Sequence, residues 1–133
     1  MTTIFRRIVL GEIPSYKIYE DAETYAFLDI SPASPGHTLV ICKSESANVY
    51  ELSDADLVAT ARTTQRVARV LRDVLQPDGI NIVQNNGAAA GQTVFHYHVH
   101  LIPRWDNDGV FAFWQPQSLA KELMQELQNK LAH

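Results

Sequence analysis

The chain has 133 residues, 46% of them hydrophobic and 20% charged, with a formal net charge of -4. That length fits a single domain over residues 1–133, and the balance is that of a globular protein, not a disordered or fibrous one. With no block of Lys or Arg and no apolar run of membrane-spanning length, the composition points away from nucleic acid and from a membrane segment.

A single cysteine, Cys42, excludes an intramolecular disulfide and any multi-cysteine zinc site. It sits in an apolar strand pattern, so it reads as a small buried residue. The expected location is cytoplasmic.

Residues 4–10 place Ile4, Phe5, Ile8 and Val9 at helical spacing, and Gly11 and Pro14 end the run. Lys17–Glu20 and Thr24–Leu28 read as two strands around the turn Asp21-Ala22-Glu23. Residues 31–36 are a Ser/Pro/Gly loop, and residues 37–42 an apolar strand. Ser53 opens the clearest helix, with Asp56 three residues on in a capping-box-like start. Leu57, Ala61, Thr64, Ala68, Leu71 and Leu75 then define one helical face until Pro77-Asp78-Gly79 stops it. Residues 80–84 read as a strand, 85–92 as a Gly/Ala/Asn loop, 94–102 as another strand and 105–115 as irregular. Ser118 is the expected cap of a last helix, about residues 117–132, with Leu119, Leu123, Leu127 and Leu131 four apart. Strands, one long helix, more strands and a final helix suit an α+β class with an antiparallel sheet. The long helix could also serve as a crossover.

The informative stretch is residues 95–104. His96, His98 and His100 alternate with Tyr97, Val99 and Leu101, so on a strand the histidines share one face. Phe95, Tyr97, Val99 and Leu101 take the other, which packing explains. Three aligned imidazoles are not explained by packing. Each can act as base, acid, nucleophile or metal ligand near neutrality. Directly upstream, residues 85–93 combine Gly87 and Gly91 with Asn85, Gln92 and Thr93. Such a loop offers main-chain N–H, amide and hydroxyl donors to a phosphate.

Together these segments resemble the histidine triad (HIT) family of nucleotide hydrolases and transferases. The carriers are His96-Tyr97-His98-Val99-His100-Leu101-Ile102, the preceding Gly91-Gln92-Thr93-Val94-Phe95, and Ile4-Phe5, Gly11-Glu12-Ile13-Pro14, Ala26-Phe27-Leu28-Asp29-Ile30-Ser31-Pro32 and Gly36-His37-Thr38-Leu39-Val40-Ile41 in order. The resemblance covers residues 3–104. It implies a sheet of about five antiparallel strands with one long helix, a short N-terminal helix and a C-terminal helix.

The resemblance also implies roles. His98 matches the nucleophile that attacks the α-phosphorus of a nucleotide to give a nucleotidyl-histidine, which water then cleaves. The substrate would be a nucleoside phosphoramidate, a dinucleoside polyphosphate or a related nucleotide, most simply with a purine nucleoside monophosphate moiety. His100 matches a phosphate ligand, His96 a residue that orients the site, and His37 a further member of the histidine network. Asn85, Gly91, Gln92 and Thr93 match the surroundings of the phosphate and leaving group, with Thr93 a relay for the departing proton. Asp29 matches the ribose-binding acid. Ile4, Phe5, Ile8, Phe27, Ile30 and Leu39 match the apolar slot for the base. A homodimer is implied, and no cofactor.

Relatives that carry a structural zinc have a Cys-x-x-Cys pair near the start and a later histidine. Here the second cysteine position is Arg6 and the histidine position Glu45, so no structural zinc is expected. Two rival readings remain: a metal-dependent enzyme using the strand histidines as ligands, or a nucleotide-binding adaptor without turnover. Against the first, the outer histidines lie about 6.6 Å apart along a straight strand, so converging on one ion requires a bend. Arg104 after Pro103 reads as a phosphate contact or a solvated side chain, and His133 as an inert terminal residue.

Overall fold

Five strands form one sheet in the order β1-β2-β3-β5-β4, every neighbouring pair antiparallel. They are β1 (Lys17–Glu20), β2 (Thr24–Leu28), β3 (Thr38–Cys42), β4 (Gly79–Gln84) and β5 (His98–Arg104). Three α-helices accompany them: α1 (Ile4–Val9), α2 (Asp54–Leu75) and α3 (Lys121–Leu131). The computed structural model describes residues 2–132. Met1 and His133, and with the latter its expected inertness, lie outside the described residues. The α+β class and the five-stranded antiparallel sheet match the expectation from sequence.

Because β3 and β4 both pair antiparallel with β5, they run parallel to each other, and α2 is the crossover that joins them. The helix covers one face of the sheet. Ala26, Val40, Cys42, Val99 and Leu101 point to that face and pack with Val67 and Leu71 of α2. The alternate residues Tyr25, Phe27, Leu39 and Ile41 point the other way, against Phe5 and Ile8 of α1. A period of two on the strands thus makes two cores, one on each side. Each fully buried side chain of this kind contributes roughly 1.5–3 kcal/mol. Among the described residues no helix is long and apolar enough to cross a membrane.

Four details differ from the sequence reading. The histidine strand begins at His98, not at residue 94. Before it, the Tyr97 N–H donates to Ser46 O at 2.7 Å, which ties this stretch to the loop after β3, and Phe95 is half exposed. The buried stripe of α2 is Thr60, Thr63, Thr64, Val67 and Leu71, rotated from the expected one; Leu57 and Leu75 sit at the edge, about two-fifths exposed. Thr60 and Thr63 are accommodated because their hydroxyls bond to Asp56 O and to Thr24 Oγ1. Ser53 caps α2 by accepting from the Asp56 N–H, but the Asp56 carboxylate turns to Ser44 Oγ at 2.6 Å and does not close the box. Finally, α3 starts after Ala120, with no side-chain cap. Ser118 and Leu119 precede the helix.

Candidate functional site

A cavity of about 350 Å³ opens on the α1 side of the sheet. Phe27 of β2 and Leu39 of β3 form its floor. Ile4, Phe5 and Ile8 of α1 and the turn residues Ile13, Pro14 and Ser15 close one wall. His98 and His100 of β5 form the other, with Thr93 and Val94 above them and Leu28, Asp29, Ile30 and Ser31 at the end of β2. The Phe5 ring meets His98 edge-on at 5.0 Å and Phe27 at 5.5 Å. One end of the cavity is therefore apolar and aromatic, and the other carries imidazoles and a carboxylate.

The sheet register puts the imidazoles here. His98 pairs with Ile41 and His100 with Leu39, so both rings leave the sheet on the α1 face. The hydrogen bonds then fix their protons, because a carbonyl only accepts and a main-chain N–H only donates. His98 Nδ1 bonds His96 O at 2.7 Å, so Nδ1 carries the proton and Nε2 is the lone-pair nitrogen. His37 Nδ1 accepts from the Ala33 N–H at 2.9 Å, so its Nε2–H donates to His100 Nδ1 at 2.9 Å. His100 is left with an N–H at Nε2. The site thus presents a basic nitrogen on His98 beside a donor on His100, with ring centroids 5.0 Å apart.

Burial favours the uncharged rings that this pattern needs. It pushes His37, His96 and His98 below the ordinary histidine value. His100 falls furthest, to about 4, through burial first and then the neighbouring His98 and His37.

Asp29 is held beside this chain by its N–H, which donates to His37 O, and by its Oδ1, which accepts from the Ser31 N–H. Its Oδ2 lies 3.6 Å from His37 Nε2, too far for a hydrogen bond. Asp29, His37 and His100 bring one ligand atom each to within 4.8 Å of one another, a spacing that a cation would accept. The three strand histidines do not converge in this way. His96 is fully buried behind the site, with Nε2 donating to Cys42 O at 2.6 Å and Nδ1 bonded to Thr3 Oγ1 at 2.7 Å.

Arg6 and Glu45, the two positions where zinc-bearing relatives differ, lie close to His96 together with Thr3, three residues before Arg6. Thr3 N–H donates to Glu45 Oε1, Arg6 N–H donates to Thr3 Oγ1, and the Arg6 guanidinium donates to Lys43 O. A hydroxyl, a guanidinium, a carboxylate and a histidine with both nitrogens engaged do not make a zinc donor set.

Of the residues singled out from sequence, Ile4, Phe5, Ile8, Phe27, Asp29, Ile30, Leu39, Thr93, His98 and His100 line the cavity, Ile4, Ile30 and Thr93 as exposed residues. His37 and His96 stand behind them. Asn85, Gly91 and Gln92 lie outside the lining. Gln92 is buried and spent internally: its Oε1 accepts from the Gly87 N–H, and its Nε2 donates to Ala47 O and Val94 O. It ties the loop to the chain after β3. Gly87 and Gly91 have φ of +92° and +96°, the left-handed backbone their residue type permits. Sequence reasoning missed Ile13, Pro14, Ser15, Leu28, Ser31 and Val94. For Ile13 and Val94, a place in the apolar sequence pattern was the available signal.

Comparison with known proteins places the chain in a family. The HIT domain profile matches residues 10–107. Protein hit of Bacillus subtilis (strain 168) is 49% identical over 113 residues, 84% of this chain and 78% of that protein. The adenosine 5'-monophosphoramidase HNT1 of Saccharomyces cerevisiae is 37% identical over 134 residues, 94% of this chain and 82% of its own. The crystal structure of a HIT family member from Bacillus subtilis superposes with a TM-score of 0.92 at 42% identity, covering 99% of this chain and 96% of that one. That of a histidine triad nucleotide-binding protein from Candida albicans gives 0.87 at 35% identity, covering 98% and 94%. Sequence and fold agree, and the chain belongs to the HIT family.

Proposed function

We propose that this protein cleaves a nucleotide at its α-phosphate by two-step nucleotidyl transfer through His98, with a nucleoside phosphoramidate, a dinucleoside polyphosphate or a related nucleotide as substrate. One observation carries the reading. The bond from His98 Nδ1–H to His96 O leaves the Nε2 lone pair free on a ring that lines the cavity beside His100. In the first step that lone pair forms a P–N bond as the bond from phosphorus to the leaving amine or phosphate breaks, and Thr93 at the rim passes its hydroxyl proton to the departing group, to be restored by a proton from the water of the second step. His100 Nε2–H donates to a phosphoryl oxygen as negative charge grows there. In the second step water adds to phosphorus and the imidazole departs. The aromatic end of the cavity takes the base, most simply a purine, and Asp29 Oδ2 accepts from ribose hydroxyls. The name of the Saccharomyces cerevisiae relative, a phosphoramidase acting on an adenosine 5'-monophosphate compound, supports this substrate class.

His98→Ala tests the assignment. Turnover should fall by at least about a thousandfold, while adenosine monophosphate binding changes little, because base and ribose contacts lie elsewhere. Mass spectrometry of wild-type protein quenched without acid should show a nucleotidyl adduct on His98. Normal activity in the variant rules out this nucleophile, and turnover without an adduct rules out the covalent route. A binding-only adaptor would show neither turnover nor adduct.

The spacing of Asp29, His37 and His100 favours a second reading, in which a cation held there takes part in the reaction. Elemental analysis and assay in chelator decide between the two: turnover that needs a stoichiometric metal supports the cation. The hydrogen bond between His37 and His100 already uses two of the nitrogens such an ion would need.

We also infer a homodimer. Residues 111–126 are exposed throughout, including Phe113 at 63% and Trp114 at 84%, and Leu127 is the one half-buried residue of α3. An amphipathic helix with no cover over its apolar side needs a second surface. Sedimentation should give twice the chain mass, and a monomer at micromolar concentration overturns the inference.

A further inference from the structure

We propose that Thr3 is a positioning residue for the reaction: by donating its hydroxyl proton to His96 Nδ1, it fixes the His96 ring and, with it, the place of the His96 carbonyl that holds the His98 Nδ1–H. The inference rests on the reading of His98 as nucleophile.

The hydrogen bonds around His96 have one consistent direction. Cys42 O can only accept, so the His96 Nε2 facing it at 2.6 Å carries the proton. In the uncharged ring Nδ1 then needs a donor, and the group that reaches it is the Thr3 hydroxyl at 2.7 Å. Thr3 Oγ1 in turn accepts from the Arg6 N–H at 3.0 Å, so that oxygen both donates and accepts. The Thr3 N–H is anchored on Glu45 Oε1 at 3.0 Å. His96 has no exposed surface, so solvent cannot replace a lost partner. The carbonyl of the same residue accepts the His98 Nδ1–H at 2.7 Å, and that bond aims the reactive nitrogen.

The same hydroxyl caps α1, whose Phe5 packs edge-on against His98. One side chain therefore ties together the wall of the base slot and the ring that attacks. A purely structural role, capping a six-residue helix, is the competing explanation.

Substitutions at Thr3 separate the two. Thr3→Ser keeps donor and cap. Thr3→Asp keeps a capping acceptor but has no proton to give, so His96, facing acceptors on both sides, must hold a proton on each nitrogen. The readouts are the melting temperature, kcat and KM on a nucleoside phosphoramidate, and two-bond proton–nitrogen spectra of the imidazoles recorded without substrate. Thr3→Ser should recover most of the activity. Thr3→Asp should melt near the wild type, lose about tenfold or more in kcat with KM changed far less, and show a doubly protonated His96 with altered His98 nitrogens. Wild-type kcat and unchanged His98 nitrogens in folded Thr3→Asp overturn the proposal and leave capping as the whole role. Should that variant not fold, Thr3→Val against Thr3→Ser gives the same spectral comparison, since Val keeps the shape and lacks the hydroxyl. The nucleophile assignment fails separately, through full activity of His98→Ala, whatever the spectra of the Thr3 variants show.

Discussion

His37 and His100 form a one-way pair: the Ala33 N–H occupies His37 Nδ1, so the proton on His37 Nε2 goes to His100 Nδ1 across 2.9 Å. The direction matters because it leaves His100 with its N–H on the nitrogen facing the cavity. Reversed, the pair would place a lone pair there, next to the oxygens of the phosphate in the proposed reaction.

His37→Phe removes that control while keeping a ring in the space. His100 is then free to take either tautomer. We expect a loss in kcat of about tenfold to a hundredfold, less than the roughly 10²–10³ that follows loss of a direct donor. His37→Gln, which retains an amide N–H, should lose less. Steady-state kinetics on the two variants check this; equal activity of His37→Phe and wild type would show that the pair does not set the His100 proton.

Acid should weaken both fold and activity. His37, His96, His98 and His100 all bind protons less readily folded than unfolded, chiefly through burial. The unfolded chain therefore takes up more protons below about pH 6.5, and stability falls as pH drops from there toward the folded values. For His100, depressed to about 4, the contribution is at most about 3 kcal/mol, less to the extent that the cavity admits water. Melting temperature should stay level from pH 7.5 to 6.5 and then decline toward pH 4. With His98 as the proposed nucleophile, the acid limb of kcat/KM should lie below the ordinary histidine value, because a protonated ring cannot attack. A limb at or above pH 6.5 contradicts the depressed His98.

Much of this site is legible in the chain, and the gaps have physical causes. β1 and β2 are read to the residue because Asp21 caps their turn through three bonds onto Glu23 and Thr24, a local signal. The face shared by His98 and His100 follows from strand alternation. His96 breaks that pattern: its ring is claimed by Thr3, 93 residues away, and its segment by Ser46, and neither contact leaves a local trace. The α2 stripe is misplaced because hydropathy ranks leucine above threonine, whereas Thr24, far along the chain, makes the Thr63 hydroxyl welcome inside. Gln92 is chemically suited to a phosphate, but its spacing cannot reveal that Gly87, Ala47 and Val94 have already taken its amide. The cavity itself is readable in kind, though not in its walls contributed by the turn at residues 13–15.

Asp29 offers a test of substrate orientation. Its Oδ1 is bound to the Ser31 N–H, so Oδ2 is the oxygen left for the proposed contact with ribose. Asp29→Asn exchanges a charged acceptor for a neutral amide and should cost about tenfold to a hundredfold in kcat/KM, the worth of a hydrogen bond to a charged group. With a 2',3'-dideoxynucleoside substrate the gap between variant and wild type should shrink. If the gap is the same for both substrates, Asp29 does not hold the ribose.

Gly36, immediately before His37, is where fold and site meet most tightly. Its φ of +90° is a conformation that side chains with a Cβ resist, and an added Cβ would meet Leu75 Cδ1 inside contact distance and Pro103 Cγ at 3.2 Å. Gly36→Ala therefore combines backbone strain with overpacking, about 2–4 kcal/mol together. Leu75→Ala removes the closest obstacle, at a site where the leucine is already partly exposed. The double variant should recover the packing part and keep the strain, so denaturant unfolding should show a non-additive cycle of about 1–2 kcal/mol. Additive losses would mean that backbone strain alone sets the cost at Gly36, with Leu75 moving aside freely.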